Sequence, residues 1–231
     1  MKWVGGMLGL LCTLWLTACS DGNDYYYPSV KQEFLTAEAG ENGALRRVQT
    51  DQGIWLSVKE DRSQTLAEPG ELVRIVSNYE QIESSVCLYG VLKTSAPQPQ
   101  PAEKFEEGLH TEPAAVTSIW MGWDYLNLIL AVRQQGKHAF HFIEQEVTEP
   151  DAQGVVTVGL MLYHEVQPDA LEDYSKRAYA SVPLRQYVKE GVRKVKVHFS
   201  LQTDRAFDEP YEKPDSETGE VVTYSFEYIP K

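Results

Sequence analysis

The sequence predicts an all-β protein: a small barrel, then an antiparallel β-sandwich, behind a cleaved export signal. Three observations carry this reading. Apolar residues recur with period two along most of the chain, the pattern of half-buried strands. A single proline-rich stretch, Thr94 to Ala115, separates shorter runs from longer ones. The opening apolar segment ends in Leu16-Thr17-Ala18-Cys19.

That opening segment has Lys2 as its positive n-region and an apolar run from Val4 to Leu16. The run is shorter than the ~20 residues of a membrane span. It reads as a secretory signal, excluded from fold reasoning. Leu16 to Cys19 matches the bacterial lipobox. Small residues at 17 and 18 suit a peptidase cleft, and the Cys19 thiol takes palmitate-class acyl chains and becomes the new N-terminus. Several chains anchor stably where one does not. Residues 1–18 are therefore expected to be a lipoprotein signal peptide. Residues 19–29 are expected to form an acidic, flexible tether, because Ser20 to Asp24 is polar and carries Gly22. The implied location is the outer membrane of a Gram-negative envelope, on its periplasmic or its surface face.

Five short strand-like runs follow between 30 and 93. Ile54, Leu56 and Val58 fall on one face, with Trp55, Ser57 and Lys59 on the other, and Asp51-Gln52-Gly53 marks a turn. So few residues cannot bury two sheets. A closed barrel removes its own edges, so residues 30–94 are expected to form an OB-like barrel. The segment 95–115 alternates Pro97, Pro99 and Pro101 with polar residues, which predicts an extended, semi-rigid linker.

Residues 116–231 predict the sandwich. The run through Leu126, Leu128, Leu130 and Val132, followed by the Gly136-Lys137 turn and "HAFHFIEQE", predicts a hairpin. "VVTVGLMLYHEV" is apolar on both faces, like a central strand. Val195, Val197, Phe199 and Leu201 face in, while Lys194, Lys196, His198 and Ser200 face out. Tyr224, Phe226 and Tyr228 share one face of the last run. Only "SVPLRQYVKEG" looks helical, with Pro183 in a first turn and Gly191 as its stop. Gly122 reads as a bulge or bend where the strand changes face, which keeps Trp120 in the core and turns Trp123 to the rim.

Charge and motif content bound the function. The net charge of -13 argues against a nucleic-acid partner, which needs clustered Lys and Arg. With Cys12 and Cys19 in the processed region, Cys87 is left alone and is expected to be a small buried hydrophobe. Nucleophile-elbow, phosphate-loop and H-E-x-x-H signatures are absent from the sequence, so a non-enzyme without cofactor or metal is expected. His138 and His141 lie three apart on a strand and point to opposite faces, so they cannot share an ion. The acidic run Thr203 to Glu220 is read as a solvated hairpin, with calcium as the competing reading. The aromatics Trp120, Trp123 and Tyr125, beside polar neighbours, are the candidate ligand contacts.

The combination resembles a known family. A lipobox with an acidic tether, a small barrel, then Trp120, Gly122, Tyr125, Leu126, Asn127, His141, Phe142 and Ile143 at their spacing, is similar to the NigD-like lipoproteins. The resemblance implies an N-terminal OB-like domain and a C-terminal β-sandwich, at the cell envelope. It supplies no catalytic residues to carry over. It leaves the activity open. With no catalytic signature, a binding or accessory module with an envelope protein as partner is expected, and the aromatic group at Trp120, Trp123 and Tyr125 gives surface glycan binding as the alternative.

Overall fold

The computed structural model describes residues 28–105, 111–132, 137–166, 175–203 and 220–231. The signal peptide, Cys19 and most of the 19–29 tether lie outside the described residues, as do Gly136 and most of the acidic run after Thr203.

The first body is a closed five-stranded barrel. Its strands are β1 (Val30–Ala39), β2 (Leu45–Thr50), β3 (Trp55–Asp61), β4 (Leu72–Ile82) and β5 (Ser85–Lys93). They follow the order β1-β2-β3-β5-β4, and β1 closes the ring by pairing with β4 as well as β2. Strands β3 and β5 run parallel and the other pairs antiparallel, an OB-like arrangement. Period two puts Leu35, Ala37, Val48, Leu56, Ile75 and Leu88 inside, all buried. Cys87 is buried and free, as a small hydrophobe would be. Gly53 ends the β2–β3 turn at φ 86, a conformation that favours glycine, and its N–H donates to the Thr50 carbonyl at 2.8 Å.

The second body is a sandwich of two sheets. Its strands are β6 (Gln100–Pro101), β7 (Ala115–Met121), β8 (Tyr125–Val132), β9 (His138–Val147), β10 (Val155–Val166), β11 (Lys176–Pro183), β12 (Lys194–Thr203) and β13 (Glu220–Tyr228). One sheet has the order β13-β12-β10-β9-β6 and the other β11-β8-β7. Between them lie Leu126, Leu128, Leu130 and Val132, with Val195, Val197, Phe199 and Leu201 opposite, as the alternation requires.

Four expectations are corrected. First, β8 and β9 are not a hairpin. They sit in different sheets, and β8 pairs with β7 instead, across a tight turn in which the Gly122 N–H donates to the Tyr125 carbonyl at 2.7 Å. Gly122 is thus a turn between two strands, not a bulge in one. Second, the sandwich is not purely antiparallel. Between β10 and β12 the chain crosses to the other sheet as β11, so β12 returns parallel to β10. Third, the segment 95–115 does not stand off as a spacer. Ser95 bridges to Ala180, and Gln100–Pro101 pairs with Ile143 and Glu144 as an edge strand, where a proline without N–H is tolerated. Fourth, the expected helix is only a 3-10 turn at Arg185–Tyr187, because Ser181 to Pro183 already complete β11. Two single side chains are corrected as well: Ser200, expected to face out, is buried and donates to the Leu160 carbonyl at 3.2 Å, and Ile54, expected on the inward face with Leu56 and Val58, is exposed in the turn before β3.

Candidate functional site

The outward face of the three-stranded sheet does not meet solvent everywhere. Part of it docks on the barrel, and the contact is built around Arg74. This residue sits on β4 within the run Leu-Val-Arg-Ile-Val and is 4% exposed. Its Nη2 donates to Asp51 Oδ1 at 2.6 Å and to Asn127 Oδ1 at 2.8 Å. Its Nη1 donates to Thr36 Oγ1 at 3.2 Å and its Nε to Ser181 Oγ at 3.3 Å. Asn127 Nδ2 returns a bond to Asp51 Oδ2 at 2.7 Å, and Ser181 Oγ donates to Asn127 Oδ1 at 2.8 Å. Barrel residues thus share one buried hydrogen-bond network with β8 and β11 of the sandwich. Burial pulls the Arg74 guanidinium below its ordinary value, while the Asp51 carboxylate pushes it back up. An arginine begins so high that it stays charged.

Aromatic rings complete the joint. Arg74 lies 4.3 Å from the centroid of Tyr125 and 5.5 Å from that of Phe34. Phe34 on β1 meets Trp120 edge-on at 5.3 Å and Tyr179 at 5.9 Å. Trp123 lies against Gly53, where a Cβ would fall inside its ring, and Lys231 Nζ lies 4.6 Å from its centroid. A Cβ on Gly122 would stand 2.6 Å from the Asp51 carboxylate and 2.7 Å from Asn127 Nδ2, so only glycine lets the turn approach.

The three candidate aromatics are therefore brought to one place, but with different duties. Tyr125 lies under Arg74 within the joint. Trp123 is pinned between Gly53 and Lys231. Trp120 alone lines an open groove, whose volume is about 200 Å³ and whose other walls include Phe34, Tyr179, Asp51 and Gln52. The role of Trp120 in the core is corrected accordingly: it packs outward on the barrel, not inward between the sheets. Sequence reasoning missed Arg74, Asp51, Ser181, Phe34 and Tyr179. A lone arginine flanked by β-branched residues was the available signal, since an unpaired charge cannot be buried there.

The histidines divide as their spacing requires. His141 packs on Phe105 and Tyr163, with centroids 6.4 and 5.8 Å away. His138 turns the other way and meets His164 across the sheet, Nδ1 to Nε2, at 2.8 Å. His164 is 1% exposed, and its Nδ1 lies 3.1 Å from the Glu112 carbonyl. Burial first, then the neighbouring His138, push its pKa down to about 4. Among the described residues, no group of three or more His, Cys, Asp or Glu is placed to hold a metal ion.

Comparison with known proteins agrees with this architecture. No curated protein matches the chain. The family model of the NigD-like C-terminal β-sandwich domain matches residues 97–212, beginning inside the proline-rich segment. A NigD-like immunity protein from Bacteroides caccae is 33% identical, with a TM-score of 0.69 over 90% of this chain and 100% of that one. A Bacteroides vulgatus protein of unknown function is 17% identical, with a TM-score of 0.59 over 87% and 91% of the two chains. A Bacteroides fragilis protein described as a candidate lipoprotein is 13% identical, with a TM-score of 0.56 over 88% and 99%. The last two share the fold alone. The first covers both bodies at substantial identity, and with the match of the sandwich model it assigns the chain: it belongs to the NigD-like family.

Proposed function

We propose that the chain is a non-catalytic binding module of the bacterial envelope, held at the outer membrane by acyl chains on Cys19 and working through a protein partner. The observation that carries this reading is the groove at the joint. Its walls come from both bodies, and the buried Arg74 network holds those bodies in one arrangement. A small concave site on a preorganised frame is a binding geometry. The lipobox supports the anchoring, and the description of the Bacteroides caccae relative as an immunity protein supports a protein partner.

Crosslinking on intact cells tests it. The expected result is recovery of a specific envelope protein with the wild-type chain, palmitate labelling that disappears in Cys19→Ala, and no turnover by purified protein. Failure to recover any partner under gentle extraction sinks the reading. Protease accessibility on intact cells assigns the membrane face. A second reading, glycan binding, keeps one support: Trp120 lines the groove, whereas Trp123 and Tyr125 are engaged in the joint. A glycan array without a binder ends it.

A further inference from the structure

The two sheets of the sandwich differ in width. Among the described residues one has five strands and the other three, so part of the wider sheet's inner face needs another cover. At the β9 end the stretch from Gln186 to Val192 supplies it, and supplies it incompletely. A cleft of about 340 Å³ remains, within the ~300–1,000 Å³ of ligand sites. Val156, Tyr187, Val192, Pro99 and Pro101 give it apolar walls. Val147 marks the gap. It stands opposite Val158, and partners in register share a face of the sheet. Val158 is fully buried in the core, yet Val147 is 47% exposed.

The backbone is open at the same place. The Thr148 N–H donates to the Thr157 carbonyl at 3.0 Å, and the Thr157 N–H donates to Thr148 Oγ1 at 2.9 Å. Position 148 therefore faces β10. Directions alternate along a strand, so the N–H and C=O of Val147 point the other way, to the free side of β9. On that side β6 pairs only with Ile143 and Glu144. After Pro101 the chain leaves the edge in a 3-10 turn, Ala102–Lys104, and Phe105 packs on Tyr163 at 6.0 Å. Among the described residues, no backbone group bonds to Val147 on its free side. Glu144 holds the neighbouring wall. It stands opposite Leu160 and points inward, where its Oε1 accepts from the Tyr187 hydroxyl at 2.6 Å and from Gln186 Nε2 at 2.9 Å.

We propose that this edge takes up an extended segment of a partner polypeptide, which pairs through its backbone with Val147 and places one aliphatic side chain in the cleft. A strand supplies both things the site lacks: an N–H and C=O for the open backbone pair, and an apolar group for the walls. The chain already uses the same edge in this way a few residues earlier, with Gln100–Pro101. The rim carries Glu149 and Lys189, one charge of each sign, so a neutral segment fits it. The proposal rests on the binding-module reading and adds to it a contact away from the joint.

The experiment titrates the isotope-labelled full chain with a capped hexapeptide of alternating threonine and valine, read by the amide resonances. The same peptide with alternate amides methylated, which cannot pair as a strand, is the control. Wild type is expected to show saturable shifts centred on Val147, and none with the methylated peptide. Val147→Pro removes the outward N–H alone, a change that an edge strand tolerates, so it should melt near wild type. It is expected to bind about tenfold more weakly, the worth of one backbone hydrogen bond. Val147→Asp, at a half-exposed position, is expected to lose about fivefold by setting a carboxylate against the aliphatic group, and it keeps the test should proline disturb β9. Val221→Asp, on β13 at the opposite edge of the same sheet, should bind as wild type. The proposal is overturned if wild type shows no saturable shift on β9, if the methylated peptide binds equally well, if Val147→Asp binds normally, or if Val221→Asp weakens binding as much. Crosslinking on cells with Val147→Asp separates the two levels. Partners retained by this variant leave the binding-module reading standing without this edge, whereas no partner even for wild type removes that reading itself.

Discussion

Two arginines make nearly the same contacts in two regions of the molecule. Arg47, on the outer face of β2, lies 4.3 Å from the centroid of Trp55 and pairs with Glu38. Arg74, in the joint, lies 4.3 Å from the centroid of Tyr125 and pairs with Asp51. Their side chains differ in exposure, 45% against 2%. Around Arg47, water replaces any contact that is lost. Around Arg74, nothing does, so each of its partners becomes a requirement. A contact has no fixed worth; the solvent available to its members sets it.

The largest expected effect breaks the buried member of this comparison. Asp51→Ala leaves the Arg74 charge buried with only neutral partners, a loss of about 3–5 kcal/mol. For a chain of this length that corresponds to a fall in Tm of about 10 °C or more. Because the network is what joins the bodies, calorimetry should also show the barrel and sandwich unfolding in separate steps. Adding Arg74→Met to Asp51→Ala should cost little more, since the two act as one unit. Two independent, additive losses would show that the pair is not coupled.

His164 extends the comparison to a buried base. Its Nδ1 faces a carbonyl, so that nitrogen donates and Nε2 accepts from His138. Burial disfavours the charged ring and the neighbouring His138 adds to that cost, so the ring stays neutral when folded. With a folded pKa of about 4 against 6.5 in the unfolded chain, the unfolded state binds the extra proton between those values. Stability from this group is therefore complete above about pH 6.5 and is lost as pH falls towards 4, on the order of 3 kcal/mol in all. Urea unfolding near pH 7 and near pH 4.5 should show most of that drop in wild type. His164→Phe, which keeps the stack on Phe140 at 4.8 Å, should flatten it. An equal slope in both chains would assign the pH dependence elsewhere.

Gly53→Ala comes next, on the rim of the joint. The new methyl meets the Trp123 ring, and the backbone sits at φ 86. Together these should cost about 2 kcal/mol and move the tryptophan emission as Trp123 is displaced. Unchanged emission with unchanged stability would mean the turn does not press on the ring.

The same contrast explains what the sequence made legible. Alternation along a strand is local, so Leu126 to Val132 and Val195 to Leu201 were assigned to the core, and the Asp51-Gln52-Gly53 turn was placed. Which sheet a strand joins is not local. Nothing in the period of β8 and β9 says that one faces the other across a core instead of pairing beside it. The motif from Trp120 to Asn127 was visible as a spacing, but its meaning depends on Arg74, Asp51 and Ser181, which are far away in the chain. Four of its five members have a task at the joint: Trp120 packs on Phe34, Gly122 admits Asp51, Tyr125 lies beside Arg74, and Asn127 ties three side chains together. Leu126 points the other way, into the sandwich core.

The smallest expected effect is at Arg47, and it completes the comparison. Arg47→Ala removes a stacking contact with Trp55, which is itself 38% exposed. An exposed contact of this kind contributes about 0.5–1 kcal/mol. Glu38 keeps Arg46 as a partner, so its carboxylate is not left alone. The backbone of β2 is paired on both sides, and its inward residues Leu45 and Val48 are untouched. Arg47→Ala should therefore melt within a few degrees of wild type, in the same single step. If it instead separated the two bodies as Asp51→Ala is expected to, burial would not be what distinguishes the two arginines, and the joint would extend over the outer face of the barrel.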